Sequence, residues 1–518
     1  MEQVKENTRT KNAILNITFG YLSLFLLKIL AFFVRKLFLQ YLSIEYLGID
    51  NLYNNVLMIL SLPKMAVDVV AVYMLYEPVA NHDDLTTSSL LKTFNKIYVI
   101  LALCIFAIGT LLMPFLHLIV SSNLSIKDLL CFYLLCLANT IFPYFVASRV
   151  AFLMANQEQR IQTIVMFITA FVLRIINVII LSNWANYYYY LLATLFTTMI
   201  SNVLLYVVCN RIHKETFLFK EKRKLDTNKI INKVKDAFVY RLFNDIINRT
   251  DDIFISILVN TVTVGLYSNY CVLVVSIQEF MMVIHSSLTS GIGNLSVKED
   301  YKKQGEVFDT TLLIFHFLGA LGLIGFSMLL NNFIALWLGQ EYLFDQLTVF
   351  IIAFNFYICN ITSPISIFRE ANGLFGKVKY LLEIRAIINI MFSIILGKLW
   401  GIIGILSATS ISCLLTDFWY EPKILFKNVP FISELHYWKK QIKYIVTTFV
   451  CFVLCYFVIG IISGQSIVYF ILKALLIVLI TSLLFIIVSF KTKEQKRLIE
   501  IILTSNINKE KNINFKDC

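Results

Sequence analysis

Residues 466–490 read SIVYFILKALLIVLITSLLFIIVSF, a stretch with one charge, Lys473, and neither glycine nor proline. As an α-helix rising 1.5 Å per residue, it covers the roughly 30 Å of hydrocarbon in a bilayer. Such a run offers its backbone almost no side-chain partners. In lipid the N–H and C=O groups must therefore pair within the segment, which makes it helical. The same reading extends along the whole chain. Of 518 residues 58% are hydrophobic and only 15% charged, with 43 Phe, 26 Tyr, 18 Gly and 7 Pro and a mean hydropathy of +0.75. Soluble chains carry about 25% charged residues. The composition excludes a soluble globular protein and specifies an all-α polytopic membrane protein.

Apolar stretches of spanning length fall at 13–38, 50–79, 94–120, 128–153, 160–182, 186–210, 236–258, 263–294, 308–332, 346–370, 376–397, 401–425, 442–462 and 466–490. These are fourteen expected helices. The second and eighth are long enough to need tilt or extension past the bilayer. Lys5, Arg9 and Lys11 precede the first run, which continues without a small-residue cleavage site and reads as a retained span rather than a signal peptide.

The basic residues supply an independent check on this count. Alternate loops, the tails and the adjoining helix ends hold most of the 45 Lys and Arg, with a dense group from Lys214 to Lys235, whereas the opposite loops hold only Lys127 and Lys398. The positive-inside rule then puts both termini and the basic loops in the cytoplasm. It puts Trp184, Tyr187 to Tyr190, Trp337 and Trp400 in an outer aromatic belt. The net charge of +12 is thus a topology signal, since no clustered basic surface suggests nucleic acid. Nine of the ten Cys lie in apolar segments without CxxC or Cys/His spacing, and there is no P-loop. No metal, cofactor or ATP hydrolysis is expected.

A weak internal repeat divides the chain. Leu47-Gly48-Ile49 with Tyr53 recurs as Val264-Gly265-Leu266 with Tyr270, and Ala155-Asn156-Gln157 recurs as Ala371-Asn372-Gly373. The expected organisation is a six-helix lobe over 1–211, a basic linker over 212–235 and a second six-helix lobe over 236–427. Residues 428–518 supply helices 13 and 14 and the tail. An even number of spans per repeat keeps the two lobes parallel.

Charged residues deep in spans carry the functional signal, because each costs about 2.5–3.5 kcal/mol on insertion scales and so avoids lipid. Lys28, Lys64, Asp68, Arg174, Asp245, Arg249, Glu279, Glu383 and Arg385 are too deep to snorkel. Arg241, Asp245, Asn248, Arg249, Asp252 and Ser256 recur at helical spacing and share a face. Lys64 and Asp68 are i,i+4 partners beside Pro63, where the helix is expected to break. The competing interpretation is a set of internal ion pairs. Arg35, Lys36, Lys473, Arg149, Asp417 and Glu421 sit near helix ends, and only Arg35, on the face of Lys28, is retained as a candidate. His285 and His316 read as packed or solvated, and Ile432 to Trp438 as a segment able to lie on the membrane surface.

With loops and charges placed, the chain resembles the polysaccharide-biosynthesis flippases (Wzx-type) of the multidrug/oligosaccharidyl-lipid/polysaccharide exporter superfamily. The resemblance rests on Tyr46-Leu47-Gly48-Ile49-Asp50-Asn51-Leu52-Tyr53, Val264-Gly265-Leu266-Tyr267-Ser268-Asn269-Tyr270, Phe368-Arg369-Glu370-Ala371-Asn372-Gly373-Leu374-Phe375, Gly397-Lys398-Leu399-Trp400-Gly401-Ile402-Ile403-Gly404 and Trp419-Tyr420-Glu421-Pro422. It implies a pair of six-helix lobes in the bacterial cytoplasmic membrane that move a polyprenyl-diphosphate-linked oligosaccharide between leaflets by alternating access. Lys28, Lys64, Arg174 and Arg249 are the expected diphosphate partners, with Arg35, Arg241 and Arg385 secondary. Asp68, Asp245, Asp252 and Glu279 would pair with these cations or exchange a coupling proton or monovalent cation. Two alternatives stand beside this: a cation-coupled drug exporter of the same superfamily, and a membrane-embedded polysaccharide polymerase or glycosyltransferase. The first would not need helices 13 and 14, and the short outer loops argue against the second.

Overall fold

The computed structural model describes residues 25–218, 249–298, 301–462, 464 and 466–497, and a few positions between 230 and 238. Every regular element among them is helical. Residues 25–41 form α1, followed by α2 (Ile44–Leu60), α3 (Leu62–Ala80), α4 (Asp84–Ile119), α5 (Ile126–Ala155), α6 (Gln159–Trp184) and α7 (Tyr187–Ile212). After α8 (249–258) come α9 (Thr261–Gly293), α10 (Tyr301–Trp337), α11 (Gln346–Ala371), α12 (Gly376–Trp400), α13 (Ile402–Asn428), α14 (Glu434–Gly460) and α15 (Ile467–Val488). Eleven of the described helices are each long and apolar enough to cross a membrane, and twelve spans result when α2 and α3 count as one. Much of the expected first and seventh spans lies outside the described residues.

The second span breaks where Pro63 leads one to expect it: it is a pair of helices bent by 54° at Ser61. Pro63 stands at the start of α3, where its missing N–H costs nothing, so the chain turns there without orphaning a donor. The polar residues between spans act as helix caps. Asp83 accepts from the Thr86 amide at 2.9 Å, Asn186 from the Tyr188 amide at 2.8 Å and Asp345 from the Thr348 amide at 3.0 Å. Each satisfies a backbone donor that the first helical turn leaves open.

The chain divides into two compact units, Met1–Gly265 and Leu266–Cys518. In the second, α10 is the central helix, packed against α11, α14 and α15. Its core runs through Phe308, Phe315 and Ile324 to Phe368, Tyr437, Tyr444 and Phe485. The segment expected to rest on a membrane surface is instead integrated here. Tyr437 is buried and the Trp438 ring lies 4.6 Å from that of Trp419, tilted by 32°, as part of the first turns of α14. His316 is buried with Nε2 2.9 Å from Gln441 Oε1.

The repeat is visible in backbone geometry. Asn156 and Asn372 end α5 and α11 with nearly the same dihedrals (φ −83° and −94°, ψ 4° and 8°). The next residues, Gln157 and Gly373, are both left-handed at φ +59° and +69°. Tyr53 donates to the Leu129 carbonyl at 3.1 Å, in the first turn of α5, and Tyr270 accepts from the Phe344 amide at 2.9 Å, just before α11. In each half the repeated tyrosine of one helix therefore anchors the start of another, 76 and 74 residues further on.

Candidate functional site

The first unit gathers a polar track along α2. Its sequence Asp50-Asn51-Leu52-Tyr53-Asn54-Asn55 puts two acid or amide pairs at i,i+4. Asn51 Nδ2 donates to Asp252 Oδ2 at 2.9 Å, and Asn55 Nδ2 donates to the same oxygen. Arg249 Nη1 donates to Asn55 Oδ1 at 3.3 Å. Asp252 and Arg249 share the inward face of α8. Ser256, one turn further, is fully buried and donates to the Ile119 carbonyl at 2.6 Å. The described part of the expected polar stripe is thus turned away from lipid, as its insertion cost requires.

The other end of the track meets α1, α6 and α7. Asp50 accepts from Tyr187 at 3.1 Å and from Asn54 at 3.3 Å, and lies within electrostatic reach of Arg35. Arg174 and Arg35 both act on the Tyr190 hydroxyl. Tyr187 and Tyr190 stack 6.1 Å apart and close on Phe38. This corrects the aromatic-belt assignment. Tyr187 is buried in the unit, while Trp184, Tyr189 and Trp400 of that group are well exposed. Three-residue spacing puts Tyr187 and Tyr190 on one face of α7, the signal that a run of four identical residues conceals.

The cations differ in how they are compensated. Lys64 is bonded to Asp68 at 2.8 Å, as the i,i+4 spacing predicts; Asp68 also accepts from Tyr98 at 2.7 Å, and the Lys64 ammonium lies 5.5 Å from the Tyr144 ring. Arg385, in the second unit, pairs with Asp417. Arg249 and Arg174 have no carboxylate at ion-pair distance among the described residues, and their Nε atoms are buried without a hydrogen-bond partner. Their hydrogen-bond partners are neutral, Asn55 for Arg249 and Tyr190 for Arg174, while Asp252 acts electrostatically on Arg249 from the same helix face. Asp252 Oδ1 is likewise buried without a partner. Lys28 is half-buried on α1 and Glu279 exposed on α9, each in contact with other groups. Arg241 and Asp245 lie outside the described residues. The expected residues are therefore not one cluster: Arg35, Arg174, Arg249 and Asp252 adjoin the α2 track, while Lys64–Asp68 and Arg385–Asp417 form ion pairs of their own.

Sequence reasoning missed the polar residues that hold this track, Asp50, Asn51, Asn55, Tyr187 and Tyr190. It also assigned Asp417 and Glu421 to solvated helix ends. Both are buried, Asp417 against Arg385 and Glu421 against Arg369 at 2.5 Å, with Ser366 donating to Glu421 at 3.2 Å. No group of His, Cys, Asp and Glu able to hold a metal occurs among the described residues.

No protein-family model matches the chain, and no curated protein matches it. Solved structures do. The lipid II flippase MurJ in an inward closed conformation aligns over 91% of this chain and 99% of its own, at 16% identity and a TM-score of 0.66. An inward-facing multidrug resistance MATE family transporter of the MOP superfamily aligns over 76% of this chain and 93% of its own, at 11% identity and a TM-score of 0.60. The Vibrio cholerae MATE transporter VcmN, in a mutant form, aligns over 82% and 98%, at 11% identity and a TM-score of 0.54. This chain is a multi-pass membrane protein with the fold of MOP-superfamily transporters.

Proposed function

We propose that the chain is a flippase for a polyprenyl-diphosphate-linked oligosaccharide, working by alternating access in a bacterial cytoplasmic membrane with both termini in the cytoplasm. The observation that carries this reading is the extent of the likeness to the lipid II flippase, 91% of the chain against 76% for the inward-facing multidrug transporter. A drug exporter does not need α14 and α15. A flippase for lipid-linked sugars resembling MurJ in fold accounts for a larger part of the chain.

The chemistry of the α2 track supports the substrate class. A diphosphate bearing a glycan cannot cross about 30 Å of hydrocarbon unaided. Arg174 and Arg249 hydrogen-bond to neutral groups rather than to a carboxylate, and a guanidinium suits two phosphate oxygens at once. Lys28 and Arg35 supplement them, and Arg241 belongs to the same proposed set. Lys64 and Arg385 attract substrate only if their carboxylates exchange partners. Asp68, Asp245, Asp252 and Glu279 serve as those partners or bind a coupling cation or proton.

The test is reconstitution. Wild-type protein and the Arg249→Ala, Lys28→Ala and double variants are inserted in equal amounts into vesicles, and transfer of undecaprenyl-diphosphate-linked oligosaccharide between leaflets is followed. Transfer should fall in both single variants and be nearly lost in the double one. Undiminished transfer in all three rejects the cationic site, and efflux of an aromatic cation without any lipid transfer favours the drug exporter.

A further inference from the structure

We propose that the first unit carries a separate binding site for an anionic phospholipid, formed where α4, α5 and α7 meet the short helix Lys214–Leu218. A cavity of about 450 Å³ there is lined by Lys92, Lys96 and Arg149 together with Ser88, Ser148 and Thr216, and no carboxylate among the described residues lines it. Beside it an open groove of about 440 Å³ is walled by Val99, Phe142, Phe145, Val203 and Tyr206 and shares Arg149 and Asn95 with the cavity. A polar basic chamber joined through one arginine to an apolar groove matches an amphiphile with a phosphate head and a hydrocarbon tail.

Arg149 is built for this position. Its Nε donates to Asn210 Oδ1 at 3.2 Å, and its guanidinium lies 3.8 Å from the Tyr206 ring centroid and 5.2 Å from that of Phe217. These contacts fix its plane. No acidic partner is within ion-pair distance of it among the described residues. Lys92 and Lys96 are one turn apart on α4 and reach the same cavity. Asp84 accepts from Thr216 at 3.2 Å and anchors the short helix, and Glu215 on that helix does not line the cavity. Basic pockets between membrane helices near one surface are suited to anionic head groups, and each basic residue near the surface adds to the attraction. The groove is exposed, with Val203 61% and Phe145 46% accessible, so a chain from the bilayer can enter sideways.

The site is independent of the α2 track, and its test does not require transport. Full-length protein is purified in detergent and its lipid adducts are counted by native mass spectrometry after addition of phosphatidylglycerol or phosphatidylcholine. Wild-type protein should retain phosphatidylglycerol over phosphatidylcholine, and Lys92→Gln/Lys96→Gln should lower phosphatidylglycerol retention about tenfold or more. Because Arg149→Gln risks the packing of Tyr206, the second arm keeps the cations and places a reporter in the groove. Val203→Trp in nanodiscs should lose more fluorescence to brominated phosphatidylglycerol than to brominated phosphatidylcholine at equal content, relative to the parent protein. Equal retention of the two lipids, or unchanged retention in the double lysine variant with no preferential quenching, overturns the proposal. Displacement of phosphatidylglycerol by millimolar inorganic phosphate would also overturn it, by reducing the site to one for free anions.

Discussion

Gly48 and Gly265, the paired glycines of the internal repeat, meet backbone to backbone. A Cβ on Gly48 would sit 2.0 Å from the Thr261 carbonyl oxygen, one on Gly265 would sit 2.5 Å from that of Ile44, and each would come within 3.1 Å of the other's amide nitrogen. Only hydrogen fits in this crossing, so the motif that marks the repeat also welds α2 to the start of α9. Membrane helices approach this closely through small residues.

Gly48→Ala should therefore destabilise the purified protein by about 1–3 kcal/mol, the usual cost of overpacking. Gly325→Ala is the control, since a Cβ there meets nothing within 4 Å. It should be neutral or stabilising by up to about 1 kcal/mol, because alanine favours the helix interior. Thermal unfolding of both variants in one detergent checks the contrast, and equal midpoints would refute the close approach.

The buried Arg369–Glu421 pair makes a second prediction. Arg369 also pairs with Glu370 at 3.1 Å, so it is the loss of Arg369 that strands the buried Glu421, at a cost of about 3–5 kcal/mol, whereas removing both Arg369 and Glu421 is far milder. Arg369→Met should lower the unfolding midpoint strongly and Glu421→Met less so, since Glu370 stays beside Arg369, and Arg369→Met/Glu421→Met should recover much of the Arg369→Met loss. Additive losses in the double variant would show that the two groups do not depend on each other.

The two left-handed helix ends respond oppositely to substitution. Gln157 pays for a Cβ at φ +59°, while Gly373 at φ +69° does not. Gln157→Gly should stabilise by up to about 1 kcal/mol and Gly373→Ala should cost about 1–2 kcal/mol. A midpoint for Gly373→Ala at or above that of the parent would contradict the shared geometry.

His213 Nε2 lies 2.6 Å from Glu158 Oε2, in the connection between α5 and α6 and at the end of α7. This hydrogen bond is the main cause that holds the Glu158 carboxyl below its ordinary value of 4.5. A depressed carboxylate pKa adds stability above the unfolded value, which disappears as pH falls through the folded one. The stability difference between wild type and Glu158→Gln should thus be constant above about pH 5 and shrink toward pH 3. A difference that grows on acidification reverses the sign and rules out the contact as its source.

The spans and the repeat were legible because they depend on properties that each residue carries by itself. Apolar run length decides where a helix crosses, and a glycine or asparagine decides where backbones touch or a helix stops. The Lys64–Asp68 pair was legible for the same reason, since four residues on a helix place it. Arg249–Asn55, Arg369–Glu421 and Arg385–Asp417 join residues dozens to nearly two hundred positions apart, and helical spacing says nothing of such partners. Tyr187 and Tyr190 were misassigned because an aromatic at a helix end suits both an interface and an interior, and only packing against Phe38 separates the two.

The contact of His316 with Gln441 gives the last two helices a bearing on modularity. Gln441 belongs to α14, and Tyr444, Cys451 and Phe485 of α14 and α15 fill the same core as α10. A chain ending after α13 would leave an imidazole and a broad aromatic face of its central helix against lipid. Truncation at that point should yield a damaged core rather than a stable shorter chain, and grafting the pair onto another helical bundle would demand a matching rewrite of the helix that receives it.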